Sequence, residues 1–404
     1  MNECVIVWTR LGPYHLARIS GAAKRLRCAG LEVTAIEVAG RDHYLWEASR
    51  SEPDSRRRTL FPEAQYCDLT QKEVGGRVTS ALEEIKPDAV AINGWAMPEA
   101  RAALSWCREN ERIAVLMSET KEDECKRRWW KEWLKSRIVR RFDAALVGGR
   151  PHKEYAVKLG VPAEKVFLGY DAVDNDYFIR QTEKVRSGRD SAAPPDETLR
   201  ALRPYFYANS RFLHRKNLDG LLRAYHTYRE RAAEPWNLVI TGDGEERENL
   251  LRLCADLGLP MVDQFKARPE SEHGSGRAAP AVLFPGFVQY EQLPVYYALA
   301  SAFIHPARSE PWGLVVNEAC ASGLPVLVSH TVGSRYELVQ DPQNGYLLDP
   351  FEVEDICSRM LRLSDLPAAE RRQMGERSRR IVADWGPERF GQGLWRAIQA
   401  AEAG

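Results

Sequence analysis

Ser309-Glu310-Pro311-Trp312-Gly313-Leu314-Val315-Val316-Asn317-Glu318-Ala319-Cys320-Ala321-Ser322-Gly323-Leu324-Pro325-Val326-Leu327 holds two carboxylates, Glu310 and Glu318, with seven residues between them. A strand-like run, Ala302-Phe303-Ile304-His305, precedes it, and Pro325-Val326-Leu327-Val328 closes it. The order reads strand, loop, helix N-terminus, helix, strand. The first turn of a helix offers amides without intrahelical acceptors and a partial positive charge, which suits an anion such as phosphate. Gly313 lets backbone approach a ligand closely. Glu310 and Glu318 are acceptors, suited to hydroxyls or to a positive centre. A site for both diphosphate and sugar hydroxyls needs these two kinds of group side by side.

Outward from this stretch, short apolar runs alternate with helical patterns, which favours parallel sheets in α/β domains. Strands are expected at 4–8, 32–38, 88–92, 112–117, 143–147 and 165–168. In the second half they are expected at 205–209, 237–241, 281–284, 302–305, 325–328 and 345–348. Helical stretches include 15–28, 97–109 and 122–141. Residues 49–58, rich in Arg, Ser, Pro and Asp, read as a surface excursion. The polar segment 184–204 has linker composition, and 266–280 reads as a surface insertion.

The bulk properties fit this picture. At 404 residues the chain makes two domains of ordinary size. Net charge is zero, which argues against a general nucleic-acid binder. No apolar run reaches the length of a membrane span, and Met1-Asn2-Glu3-Cys4 lacks the basic start of a signal peptide. Eight scattered cysteines without a Cys-x-x-Cys pair read as reduced, mostly core residues of a cytoplasmic protein, not metal ligands.

Other segments carry chemistry. Arg211 and Lys216 follow the strand at 205–209, where an α/β sheet binds ligands. Fixed cations there stabilise a leaving diphosphate; the plainer alternative is a solvated basic loop that includes Arg215. Thr241-Gly242-Asp243-Gly244 is a strand-to-helix turn that also admits a ligand. Residues 122–142 interleave Trp129, Trp130 and Trp133 with eight basic residues. Trp130, Leu134, Ile138 and Phe142 recur every four residues. This pattern fits a helix with its apolar stripe in the core, or peripheral contact with an anionic membrane.

Four segments together resemble retaining GT-B glycosyltransferases of family 4, the glycosyl transferases group 1 set. They are Asn209–Asn217 around Arg211 and Lys216, the 241–245 turn, Phe284-Pro285-Gly286-Phe287-Val288 with Leu293-Pro294, and the Glu310/Glu318 stretch. They fall in that family's order across residues 205–350, while the N-terminal half matches in outline.

The resemblance implies a GT-B fold, two Rossmann-like domains facing each other across a cleft. It places an acceptor-side domain at 1–180, a linker at 181–204 and a nucleotide-sugar domain at 205–385, with helix 386–404 crossing back. It implies catalytic roles for Arg211, Lys216 and Glu310. Donor contacts fall to Gly12, Gly242, Gly244, Val288, Gly313, Leu314, Val315 and Glu318, the last facing the ribose. His15, Asn93 and Glu119 are the acceptor-side candidates. Two departures stand out. Gly12-Pro13 replaces the family's Gly-Gly pair, and Ser118-Glu119-Thr120 stands where many relatives have a His. The segment 169–178 overlaps a family turn at the hinge between domains.

The expected reaction moves a hexose-type sugar from a nucleotide-diphosphate sugar to an acceptor hydroxyl with retention, using no metal and no cofactor beyond the co-substrate. The acceptor is a glycan, a lipid-linked or a small molecule, in glycan, exopolysaccharide or glycolipid biosynthesis. The alternative is a catalytically silent nucleotide-sugar-binding subunit or regulator.

Overall fold

Alternating side chains of a strand buried on both faces must all be apolar, and the central strands satisfy this. In the first, Val5 and Val7 enter one apolar cluster while Cys4, Ile6 and Trp8 enter the cluster on the opposite face. The computed structural model describes residues 1–41, 56–188, 196–263 and 281–403. It divides into two units, Met1–Asp174 with Trp385–Gly404, and Asn175–Asp384.

The first unit contains β1 (Glu3–Trp8), β2 (Glu32–Arg41), β3 (Arg56–Gln65), β4 (Ala89–Asn93), β5 (Ile113–Ser118), β6 (Ala144–Val147) and β7 (Val166–Leu168). They form one parallel sheet in the order β3-β2-β1-β4-β5-β6-β7. The second contains β8 (Tyr205–Asn209), β9 (Asn237–Thr241), β10 (Met261–Asp263), β11 (Val282–Gly286), β12 (Ala302–His305), β13 (Val326–Ser329) and β14 (Gly345–Leu348). Its parallel order is β10-β11-β9-β8-β12-β13-β14. In each sheet the strand order reverses once, between β1 and β4 and between β8 and β12. Such switch points open a crevice at the carboxyl ends of the strands.

The helix Pro387–Glu402 packs in the first unit against the helix Pro13–Arg27. Glycines allow the approach: a Cβ on Gly21 would lie 2.0 Å from the Pro387 carbonyl oxygen, and one on Gly391 would lie 2.3 Å from that of Gly21. Phe390, Leu394, Ala397 and Ile398 from this last helix are fully buried.

Several expectations need correction. Residues 56–58, read as surface loop, begin β3; residues 49–55 lie outside the described region. Only Leu60 of that strand is buried, so its pattern is that of a charged edge, with Arg57 bonded to the buried Glu37 at 2.6 Å. The short edge strand β10 had no signal either. The segment read as linker, 181–204, starts inside the helix Asn175–Arg186 and includes the helix Asp196–Ala201; residues 189–195 and the insertion at 266–280 lie outside the described region. The unit boundary falls at Asp174, six residues before the expected one. The cysteines need no such correction, since five of the eight are buried and only Cys28, Cys67 and Cys125 are exposed.

The stripe expected in the core is only half there: Phe142 is buried and Ile138 packs against the core, while Trp130 and Leu134 do not. The helix runs only Trp129–Val139, so Phe142 lies beyond its end. Trp130 and Leu134 are exposed, because the side facing the protein carries Glu132, Lys135, Ser136 and Val139 instead.

Candidate active site

Two loops leave adjacent strands at the second switch point. The first follows β8 through Arg211 to the short turn His214–Lys216. The second follows β12 through Arg308 to Glu310 and Gly313. They are tied together. The Arg308 amide donates to the Arg215 carbonyl at 2.8 Å, and Asn217 Nδ2 donates to the Pro306 carbonyl at 3.0 Å. The Arg308 guanidinium grips both oxygens of Asp219 at 3.1 and 2.9 Å.

At the centre, the buried Glu310 carboxylate meets three groups. Lys216 Nζ donates to Oε2, His305 Nε2 lies 3.3 Å from the same oxygen, and Arg215 Nη1 lies 3.4 Å from Oε1. Burial pushes the Glu310 pKa up, but Lys216, the His305 hydrogen bond and Arg215 outweigh it and hold the carboxyl well below the usual range. Burial lowers the Lys216 pKa; Glu310 opposes this, and the neighbouring Arg215 and Arg211 charges add to it. Burial likewise lowers the pKa of His305, whose bond to Glu310 only partly compensates. At neutral pH the centre holds an ionised Glu310 and a neutral His305. Lys216 and Arg215 lie against the carboxylate and Arg211 acts on Lys216 electrostatically, a concentration of positive charge suited to an anionic ligand.

Gly313 caps the helix Leu314–Ala321 with φ +93°, a left-handed conformation that favours glycine. A Cβ there would stand 3.2 Å from Val332 Cγ1 and 3.3 Å from Glu310 Cγ. The first amides of that helix, at Leu314 and Val315, therefore open beside Glu310. Glu318, one turn along, is fully buried and accepts from Tyr297 Oη at 2.6 Å. Tyr297 also bonds Asn209, which accepts from Thr241 Oγ1 at 3.1 Å, and Thr241 lies 2.7 Å from Tyr207 Oη. This polar chain runs beneath the carboxyl edge of β8, β9 and β12.

Gly242 and Gly244 buttress the basic loop. A Cβ on Gly242 would lie 1.8 Å from the Ser210 carbonyl oxygen, and one on Gly244 2.6 Å from that of Phe212. The Phe212 amide donates to the Asp243 carbonyl at 2.8 Å. Their contacts are with the loop that carries Arg211. Val288, in the loop after β11, is buried.

In the first unit, Gly12, His15, Asn93 and Glu119 stand at the carboxyl edge of β1, β4 and β5. Asn93 Oδ1 accepts from Tyr170 Oη at 3.1 Å, and Trp8 Nε1 donates to the same hydroxyl at 3.3 Å. The exposed Glu119 acts on Tyr170 electrostatically. His15 has a local duty: its Nδ1 accepts the Gly12 amide at 3.1 Å, and its ring packs edge-on against Trp8. Burial, with Arg18 nearby, lowers its pKa to about 3.

The sequence reading did not assign roles to His305, Arg215, Tyr297 or Tyr207. His305 ends an apolar strand-like run, and only the fold turns it toward Glu310 and Tyr297 toward Glu318. A pocket of about 440 Å³ lies elsewhere, lined by residues such as Arg203, Ser301 and Pro325 that precede β8, β12 and β13. It is thus at the opposite edge of the sheet from Glu310.

Residues 203–365 match the family described as Glycosyl transferases group 1. Over that segment the resemblance read from residues 205–350 is borne out as one to group 1 glycosyltransferases. The chain is 32% identical over 177 residues to a GDP-mannose-dependent alpha-(1-6)-phosphatidylinositol monomannoside mannosyltransferase of Mycolicibacterium smegmatis, covering 42% of this chain and 40% of that protein. It spans less than half the length of this and two other curated relatives, uncharacterized glycosyltransferases of which it covers 43% and 44%. In structure it is similar to sucrose-phosphate synthase from Thermosynechococcus elongatus, with a TM-score of 0.71, 17% identity and full coverage of both chains. Anabaena HepE in complex with UDP and glucose gives 0.70 at 14% identity, covering 99% of this chain and 100% of that one. These likenesses place the fold in the GT-B class.

Proposed function

We propose that the protein is a retaining glycosyltransferase that moves a hexose-type sugar from a nucleoside-diphosphate donor to an acceptor hydroxyl. The observation that carries this reading is the contact of Lys216, Arg215 and His305 with Glu310 beside the Gly313-capped helix. The leaving group is a nucleoside diphosphate, on whose oxygen negative charge builds as the glycosidic bond breaks. Lys216, Arg211 and Arg215 supply fixed positive charge there, in a partly desolvated site where it acts strongly. The amides of Gly313, Leu314 and Val315 face the distal phosphate.

Glu310 stays ionised, so it serves as an acceptor for sugar hydroxyls and as a counter-charge to a cationic anomeric centre, never as a proton donor. Front-face attack lets the departing phosphate oxygen take the acceptor's proton. The chain's own task is then positioning and charge stabilisation. Glu318 and its Tyr297 partner hold the ribose end, with Val288 at the base side. Asn93 and Glu119 are the acceptor-side residues in this reading, and Gly12 and His15 shape the loop near them. The relative that acts on phosphatidylinositol monomannoside supports a glycolipid or glycan acceptor.

The test is release of nucleoside diphosphate from a panel of UDP-, GDP- and ADP-sugars, with and without acceptors. Product analysis at the anomeric carbon decides retention. A second reading, a silent donor-binding subunit, draws on Ser118-Glu119-Thr120 standing where relatives have a His. Donor binding without turnover under every acceptor condition would establish it.

A further inference from the structure

The helix Trp129–Val139 is built inside out. Its protein-facing side is largely polar: Glu132 accepts from Lys135 at 2.8 Å and from Tyr155 at 2.6 Å, and Ser136 donates to the Leu159 carbonyl at 2.7 Å. Val139 is its only fully buried residue. Its outer side carries Trp129, 83% exposed, with Trp133 at 52%, Leu134 at 47% and Trp130 at 43%. Positions 129, 130, 133 and 134 fall on one helical face. Among the described residues eleven large apolar side chains are exposed, and four of them lie on this one helix. That clustering makes a patch, which a monomer in water would not keep without a use.

The charge around the patch is one-sided. Residues 126–141 hold eight basic residues and a single acid, Glu132, in a chain whose net charge is zero. The acids just upstream are engaged: Glu122 pairs with Lys158, Asp123 with Lys121, and Glu124 accepts the Lys121 amide. Two cations sit against the exposed rings themselves, Arg137 4.5 Å from the Trp133 centroid and Lys131 5.4 Å from that of Trp130.

We infer that this helix docks the protein on an anionic lipid surface. A protein partner would require burying Lys131 against Trp130 within the patch, and interface cores are depleted of lysine. A bilayer interface takes both groups at once: indole rings settle at headgroup level, while Lys and Arg reach lipid phosphates and anionic headgroups. The helix keeps its place through these hydrogen bonds, the buried Val139 and the partly buried Ile138, so Trp129, Trp130, Trp133 and Leu134 are not needed to hold it. This inference does not rest on the transferase reading.

The test uses the full chain in vesicle sedimentation, without donor, against phosphatidylcholine vesicles and phosphatidylcholine–phosphatidylglycerol vesicles. The wild type is expected to pellet with the anionic vesicles, much less with the neutral ones, and less as salt rises. The combined variant Trp129→Ser, Trp130→Ser, Trp133→Ser should bind roughly tenfold or more weakly, with its circular dichroism unchanged. Lys131→Gln with Arg137→Gln should weaken binding to anionic vesicles and leave neutral ones unaffected. Wild type that stays in solution with both vesicle kinds overturns the inference, as does a Trp variant that binds like wild type. Light scattering that shows a dimer lost in the Trp variant, with no vesicle binding, assigns the patch to self-association and also overturns it.

Discussion

Lys216 and Glu310 depend on each other. Lys216→Ala leaves Glu310 with His305 and the more distant Arg215, and removes the charge nearest the proposed leaving group. Turnover is expected to fall by roughly 10²-fold or more, as for single electrostatic deletions in other sites. Nucleoside diphosphate release by a folded variant measures it, and undiminished release would count against the mechanism. Glu310→Gln acts on stability as well. It strands buried Lys216 beside Arg215, and breaking a buried pair costs about 3–5 kcal/mol. Glu310 has a depressed folded pKa, below the ordinary 4.5. Its contribution is therefore complete above that ordinary value and fades as pH falls through the folded one. Melting curves should show a wide gap between wild type and Glu310→Gln at about pH 7, which narrows toward about pH 3. A gap that is independent of pH would mean that Glu310 is not ionised in the folded protein.

Loops and caps carry the next level. His15 caps the helix Pro13–Arg27 as a neutral ring, with a folded pKa near 3 against an ordinary 6.5. Protons bind the unfolded chain first, so this cap loses stability as pH falls from about 6.5 toward the folded value. Gln at the same position keeps an acceptor for the Gly12 amide and does not titrate. His15→Gln should lose less melting temperature than wild type between about pH 7 and about pH 4.5. Parallel losses would place the acid sensitivity elsewhere. Gly313→Ala meets a second constraint, a left-handed φ that costs a residue with a Cβ about 1–2 kcal/mol. Its new methyl presses on Glu310, so donor turnover should fall together with the melting temperature. Legibility at this scale followed the physics. Strands buried on both faces, such as β1, β5 and β12, announced themselves by continuous apolar runs. Arg56–Gln65 did not, because an edge strand needs only Leu60 inside and can carry Arg57 against Glu37. The Glu310 and Lys216 loops were legible from residue type and order. Tyr297 was not, because its partner Glu318 comes from another helix, and His305 was not, because its place at the end of an apolar strand run gave no sign that its ring turns to Glu310 five residues on.

For the whole chain, a donor of the right base and sugar stabilises the folded state by mass action, about 2.7 kcal/mol at a hundredfold excess over its Kd. A thermal-shift panel should single out one nucleotide sugar, and Lys216→Ala should shrink that shift, measured from a lower ligand-free melting temperature because buried Glu310 loses its nearest counter-charge. A larger consequence follows from chain order. The first unit is closed by Trp385–Gly404, which arrives after all of the second unit. The family resemblance implied a helix at 386–404 that crosses back, but its partner, Pro13–Arg27, lies too far away in sequence for any local pattern to name. Phe390, Leu394 and Ile398 are fully buried there, each contributing about 1.5–3 kcal/mol, or roughly 5–9 together as an upper estimate. Net stabilities of domains are about 5–15 kcal/mol, so losing this helix removes most or all of the first unit's margin. A chain that ends at Asp384 should therefore lose amide protection in β1, β4, β5 and β6 by hydrogen exchange, while β8, β9 and β12 keep theirs. Protection retained in β1 would show that Ile19, Ala22 and Leu26 find cover without that helix, and that the first sheet folds without the end of the chain.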